Sequence, residues 1–380
     1  MRSLSIFFLL LTMTATARAD VGKDVDITAA DGTRIKGTYW AAAKPGPGVV
    51  LLHMCNSQRK AWSNLGSQLA ARGIHALAID YRGYGESGGT PFDKLTQAER
   101  QKSAESWPGD VDKAFDFLAA QRGVDRSRIG ASGGSCGVNQ AVQLARRHPE
   151  VKTMVLLAGG TNAAGEAYLT GSSWLPIFGV AARDDGNAVE QMQWLLGFSS
   201  NPGNQLKIYE QGGHGTNLFP VHKELEPAIV TWFEQHLITR PVQASPSPPK
   251  PGPSARASAG LREPGGGARA LAQVREARKS GKTIPLPPEG PINAMGYEAL
   301  QGGRVDDAIG LFELNVELHP ESANTYDSLG DAYLAAGKKD RAAELARKTL
   351  DMIARDTAMP EEAKKALRDS AEGKLAPAKP

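Results

Sequence analysis

The sequence predicts an α/β fold, an eight-stranded, mostly parallel sheet flanked by helices, followed by a small all-α C-terminal domain. Three observations carry this prediction. Short apolar runs alternate with amphipathic stretches between residues 24 and 239, the pattern of strands joined by helical crossovers. The run Arg128–Ser132 leads into Gly133-Gly134-Ser135-Cys136-Gly137 and then a helical stretch, Val138–His148, which together read as a strand, a tight turn and a helix with a serine at the turn. Residues 289–356 repeat at a period of 34, the signature of stacked helical units.

Val25–Ile27 and Arg34–Trp40 flank Asp31-Gly32 and read as an opening hairpin. Gly48–Met54 is a buried strand, Lys60–Arg72 an amphipathic helix, His75–Tyr81 a strand, Asp110–Arg122 a helix and Arg128–Gly133 the strand before the turn. Beyond the following helix, Lys152–Ala158, Pro176–Ala182 and Leu206–Glu210 are strands. Helical Ala188–Leu196 separates the last two, and Pro220–His236 closes the unit as a helix. The serine therefore follows the fifth of eight strands.

A serine on such an elbow needs small residues two before and two after it, because strand and helix backbones approach closely there. Gly133 and Gly137 meet that demand around Ser135, although Gly130-Ala131-Ser132-Gly133-Gly134 has the same spacing. A turn at Ser132 would cut the strand to about three residues, against a usual five or six. It would also place Gly134 and Gly137 inside a helix, where each glycine costs about 1 kcal/mol relative to alanine. Cys136 as nucleophile would want glycine at 138, which is Val138. The pattern favours Ser135.

Over residues 24–239 this order resembles the α/β-hydrolase fold, and three more segments share the resemblance. Leu51-Leu52-His53-Met54 looks like the family's strand-end His-Gly loop, with Met54 where glycine is common. Asp80-Tyr81-Arg82-Gly83-Tyr84-Gly85-Glu86-Ser87 is similar to its D-x-R-G-x-G-x-S turn. Gly212-Gly213-His214-Gly215 resembles the loop that carries its catalytic histidine. The resemblance implies Ser135 as nucleophile, His214 as its base, and an acid at the end of the Pro176–Ala182 strand. Arg183-Asp184-Asp185 offers two carboxylates there; the family's small-x-x-acid turn puts Ala182 at the small position and Asp185 at the acid, with Asp184 the rival. His148, His222 and His236 lie on helices and read as surface or packing residues.

By the same resemblance, the oxyanion donors are the backbone N–H of Cys136 and of Met54 or Cys55. These positions include the only two cysteines of the chain. The family's geometry brings the two loops together, so the resemblance implies a Cys55–Cys136 disulfide in an oxidising compartment. Gly159–Leu175 is too short for a large cap between the sixth and seventh strands, while Ser87–Pro108 is long enough for a short flap, with Trp107 and Phe92 as pocket-lining candidates. An uncapped, glycine-rich site resembles the dienelactone-hydrolase and small-esterase branches, which implies a small-molecule acyl substrate. A peptidase or amidase with the same triad is the alternative, as is an inert scaffold acting through the C-terminal domain.

Met1-Arg2, the apolar Leu4–Leu11 and the small-residue pattern Ala17-Arg18-Ala19 read as a secretory signal over residues 1–19, so the expected location is secreted or periplasmic after cleavage near Ala19. The apolar core is too short for a stable membrane span, which takes about 20 residues. The hydrolase unit is expected over 20–239, a Pro/Ser/Gly-rich mobile linker over 240–267, and a helical domain over 268–372. In that domain Gly296, Gly303 and Ala308 recur as Gly330, Gly337 and Ala342, and the two units, about 289–322 and 323–356, resemble tetratricopeptide repeats. Two units fall short of the usual three, so support is expected from Leu271–Arg278 and Pro360–Asp369. The resemblance implies a protein or peptide partner through 289–356. A net charge of +3 over 380 residues gives no footing for nucleic acid. No metal cluster or phosphate loop is evident, so no cofactor or metal is expected.

Overall fold

The computed structural model describes residues 22–243, 250–282, 284, 286–357, 359 and 361–375; the expected signal segment lies outside them. Among the described residues one sheet has eight strands: β1 (Lys23–Thr28), β2 (Arg34–Trp40), β3 (Gly46–Leu52), β4 (His75–Ile79), β5 (Val124–Gly134), β6 (Val151–Leu157), β7 (Ile177–Ala182) and β8 (Gln205–Tyr209). They lie in the order β1-β2-β4-β3-β5-β6-β7-β8. β2 runs antiparallel to β1 and β4, and all other pairs are parallel. Every residue of β3 is buried, as expected of a central strand covered by helices on both faces. The chain leaves β3 toward β4 and returns to pair β5 on its other side, so the C-terminal ends of β3 and β5 border the crevice where open α/β sheets bind ligands.

Four stretches differ from the sequence expectation. Pro220–His236 is two helices, Leu218–Val221 and Leu225–Glu234, with His222 between them. Pro227 is the cause, since proline is accepted in a first turn but not in a helix interior. Ser87–Pro108 contains a helix, Gln97–Ala104, held by a capping box between Thr96 and Glu99. Trp107 opens the next helix, is buried, and stacks on Tyr81 with ring centroids 4.9 Å apart, so it packs the core instead of lining a pocket. Phe92 stacks on Tyr84 at 5.0 Å. The short β6–β7 connection carries a helix, Ala163–Gly171, capped by Asn162.

The fourth difference is in the expected linker over 240–267, of which residues 244–249 lie outside the described residues. A helix spans Pro253–Arg262 and the next, Gly266–Lys279, begins almost at once. Pro253 sits at its first position, and its alanines are good helix formers. Gly252 abuts the Gly197 carbonyl, where a Cβ would collide with the backbone, and Ser254 and Ser258 are buried. Composition that reads as coil is here a docked helix.

The C-terminal region is all helical. Glu289–Gln301 pairs with Val305–Leu318, and Ala323–Ala335 with Lys339–Arg355, consistent with a tetratricopeptide-like module. Gly303 and Gly337 both adopt φ near +70° in the tight turns (71° and 74°). Gly296 leaves room for the Phe312 ring, which Tyr297 meets edge-on at 5.1 Å. The Gly266–Lys279 helix lays Gly267 against the backbone of Gly310 and Leu311. At the other end the Glu361–Leu375 helix buries Lys374, whose Nζ lies 2.7 Å from Asp327 and 2.8 Å from Asp331.

Candidate active site

Ser135 sits between β5 and the Cys136–Arg147 helix with φ 52° and ψ −119°, outside the usual basins of an L-residue and a conformation that the surroundings must enforce. The enforcement is visible. Its N–H donates to the Leu157 carbonyl of β6 at 2.9 Å. A Cβ on Gly133 would fall on the Gly137 carbonyl, and one on Gly137 on the Leu52 carbonyl of β3. Gly134 has its nearest neighbour at 3.8 Å and is sterically open. Ser135 is half-buried, whereas Ser132 lies fully buried inside β5 and away from the turn.

His214 lies in the loop after β8, and Gly215 beside it lies against the Gly134–Ser135 peptide; a Cβ there would be 3.9 Å from the Ser135 nitrogen. The His214 Nδ1 is 2.7 Å from Asp185 Oδ2. An ionised carboxylate only accepts, so Nδ1 carries the proton and Nε2 is the basic nitrogen. Asp184 turns the other way and accepts from the N–H groups of Gly212 (2.9 Å) and Gly213 (3.0 Å), which hold its carboxyl below the usual carboxylate range. The two adjacent carboxylates thus divide: one touches the imidazole and one shapes its loop.

Across the crevice, buried His53 links the loops after β3 and β4. Its Nδ1–H donates to the Met54 carbonyl (2.7 Å) and its Nε2 accepts from Tyr81 N–H (3.1 Å), while burial lowers its pKa and keeps the ring neutral. Asp80 receives the N–H groups of Arg59 (2.7 Å) and Glu86 (3.0 Å) and pairs with the buried Arg59 guanidinium, which fixes the turn after β4. The Thr216 hydroxyl reaches Met54 Sδ at 3.7 Å. Cys136 opens its helix, so its N–H is among the donors that intrahelical bonding leaves over.

Cys55 and Cys136 are joined by a disulfide with Cα atoms 5.8 Å apart, tying the loop after β3 to the start of the elbow helix. The intact protein is expected to gain two hydrogens on reduction and to lose roughly 2–4 kcal/mol of stability. An intact mass unchanged by reduction would show the two thiols to be separate.

The other sequence candidates lie elsewhere. His148 contacts Asp112 at 2.9 Å, His222 donates to the Gln211 carbonyl at 2.7 Å, and His236 to the Trp232 carbonyl at 2.9 Å. Sequence reasoning missed Glu166, Trp194 and Arg262. Arg262 reaches Glu166 at 2.9 Å and Glu298 at 3.2 Å, and Trp194 packs against both the sheet core and the helical core. The one available signal was the concentration of bulky apolar residues in Met192–Phe198.

A mostly parallel sheet of this order, with a serine elbow after its fifth strand and a histidine after its eighth, is the α/β-hydrolase fold. The family that matches, described as serine aminopeptidase, S33, covers residues 43–196, which includes Ser135 and Asp185 and stops before His214. The uncharacterized protein Rv2307c of Mycobacterium tuberculosis is 31% identical over 166 residues, 43% of this chain and 54% of its own. The chain thus spans about half the length of the curated relatives it matches. Among solved structures, the Pyrococcus furiosus esterase Pf2001 is 20% identical with TM-score 0.46, covering 58% of this chain and 92% of its own. The α/β hydrolase GrgF from Penicillium is 16% identical with TM-score 0.46, covering 57% and 99%.

Proposed function

We propose that the protein is a secreted serine hydrolase that cleaves an ester through an acyl-enzyme on Ser135, with His214 as general base and Asp185 as the group that orients it. The observation that carries this reading is the strained elbow of Ser135 beside a histidine whose Nδ1 is held 2.7 Å from Asp185. A strained backbone persists only where the fold over-determines it, and such positions cluster at functional sites. In the first step Ser135 Oγ forms a bond to the substrate carbonyl carbon as His214 Nε2 takes its proton. The alkoxy group then leaves with that proton, and water repeats the sequence to release the acid and regenerate the serine. The N–H groups of Cys136 and of Met54 or Cys55 receive the oxyanion.

Treatment of the full-length protein with a serine-reactive fluorophosphonate is expected to add one label on the peptide containing Ser135, and His214→Ala is expected to lose it. A label on Ser132, or none on folded protein, would overturn the assignment. The serine aminopeptidase description of the matching family favours a second reading, an amide bond cleaved with the same residues. Paired ester and amide substrates with one acyl group separate the two. The tetratricopeptide-like pairs over 289–356 are proposed as a contact surface for a protein or peptide.

A further inference from the structure

A cavity of about 350 Å³ lies between the sheet domain and the helical region, within the range of small-molecule sites, roughly 300–1,000 Å³. It begins next to the elbow. Gly159 packs on the Ser135 carbonyl, and Gly160 beside it is part of the cavity wall. Asn139, one turn along the elbow helix from Ser135, also lines it and accepts from Thr161 Oγ1 at 2.9 Å and Asn162 N–H at 3.2 Å, which fixes the wall to the elbow. The far wall belongs to the helical region: Gly290, Pro291 and Ala294 of the Glu289–Gln301 helix.

Most of the lining is apolar, with Trp194, Leu195 and Phe198 facing Pro291 and Ala294. The charged part of the wall is Glu166, Arg262 and Glu298, two carboxylates around one guanidinium. Glu166 is 8% exposed, and burial raises its pKa. That arrangement pins the helical region to the sheet domain through Arg262, and it opposes a ligand that brings a further negative charge. A larger hollow of about 700 Å³ lies on the other side of Trp194, but its lining includes no residue of the elbow helix or the loop after β6.

We propose that this cavity is the acyl pocket, that the Glu289–Gln301 helix supplies its outer wall, and that the substrate is a neutral ester with an apolar acyl chain of medium length. The proposal rests on the Ser135 reading. It makes the C-terminal region part of substrate selection in addition to any surface it offers a partner.

The test fills the cavity from the helical side. A Cβ on Gly290 would have Gln191 Nε2 at 3.8 Å as its nearest neighbour, and Ala294 is exposed to the cavity, so Gly290→Phe and Ala294→Trp enter the space without a backbone clash. Both variants are expected to lower the octanoate-to-acetate ratio of kcat/KM for the p-nitrophenyl esters by roughly tenfold or more. An unchanged octanoate-to-acetate ratio in two variants with unaltered melting curves would overturn the pocket and leave Ser135 chemistry standing. Calorimetric titration of octanamide into full-length Ser135→Ala protein reads the pocket without turnover. Saturable binding that Gly290→Phe removes supports it even where neither ester is cleaved, the outcome that would sink the Ser135 reading alone. No octanamide binding overturns the pocket.

Discussion

Replacing Asp185 by asparagine is expected to lower kcat on an ester by about 10³–10⁴-fold, with the protein still folded. The size follows from what the carboxylate does at His214 Nδ1. It accepts one proton at 2.7 Å, and so keeps Nε2 basic; an amide that presents its NH2 to the ring favours the opposite tautomer and leaves Nε2 protonated. The imidazolium formed when Ser135 loses its proton also loses its counter-charge. Asp184→Asn provides the internal contrast. Its carboxylate oxygens each accept one backbone N–H, from Gly212 and Gly213, and an amide has one acceptor oxygen to offer. The loop loses a bond, but the ring keeps its partner, so a change in kcat of about tenfold or less is expected. Steady-state kinetics on one chromogenic ester decides between them. A large loss in Asp184→Asn with a small one in Asp185→Asn would exchange the two roles.

The family's small-x-x-acid turn pointed to Asp185, with Asp184 as its rival, but the part Asp184 takes in shaping the loop was not legible, because the two precede the same turn and differ only in which way the backbone points them. The strands were legible for a physical reason: β3 and β7 are buried on both faces, so their residues read as unbroken apolar runs. The elbow was legible because glycine at 133 and 137 is a steric requirement, and a requirement at fixed spacing leaves a pattern. The docked helix Pro253–Arg262 was hidden for the opposite reason. Gly252, Gly266 and Gly267 are places where one backbone touches another, at Gly197, Leu261 and Gly310, yet in composition such glycines look like coil. The helical wall of the cavity was hidden with it, since Gly290 and Trp194 are 96 positions apart (290 − 194) and acquire a shared meaning once that helix folds back.

Gly133→Ala is expected to destabilise the protein by roughly 3 kcal/mol or more, or to prevent folding, whereas Gly134→Ala one residue on is expected to stay within about 1 kcal/mol of the parent. Both glycines are buried at the end of β5, and burial alone would rank them equally. The difference is what the added methyl meets. At 133 it falls on the Gly137 carbonyl and comes within 2.8 Å of the Val138 nitrogen, both backbone atoms of the first turn of the elbow helix. That turn cannot retreat, because Gly137 is itself pressed against the β3 backbone at Leu52 and His53. Relief must therefore come from moving the strand, the helix or the Ser135 dihedrals, all of which the sheet holds. At 134 the methyl meets the Thr216 side chain at 3.8 Å, an ordinary contact. Urea unfolding of the two variants measures the difference directly. Equal losses of stability would mean that the close approach at Gly133 yields easily. In that case the unusual conformation of Ser135 would need a cause other than the squeeze between β5, β3 and the elbow helix.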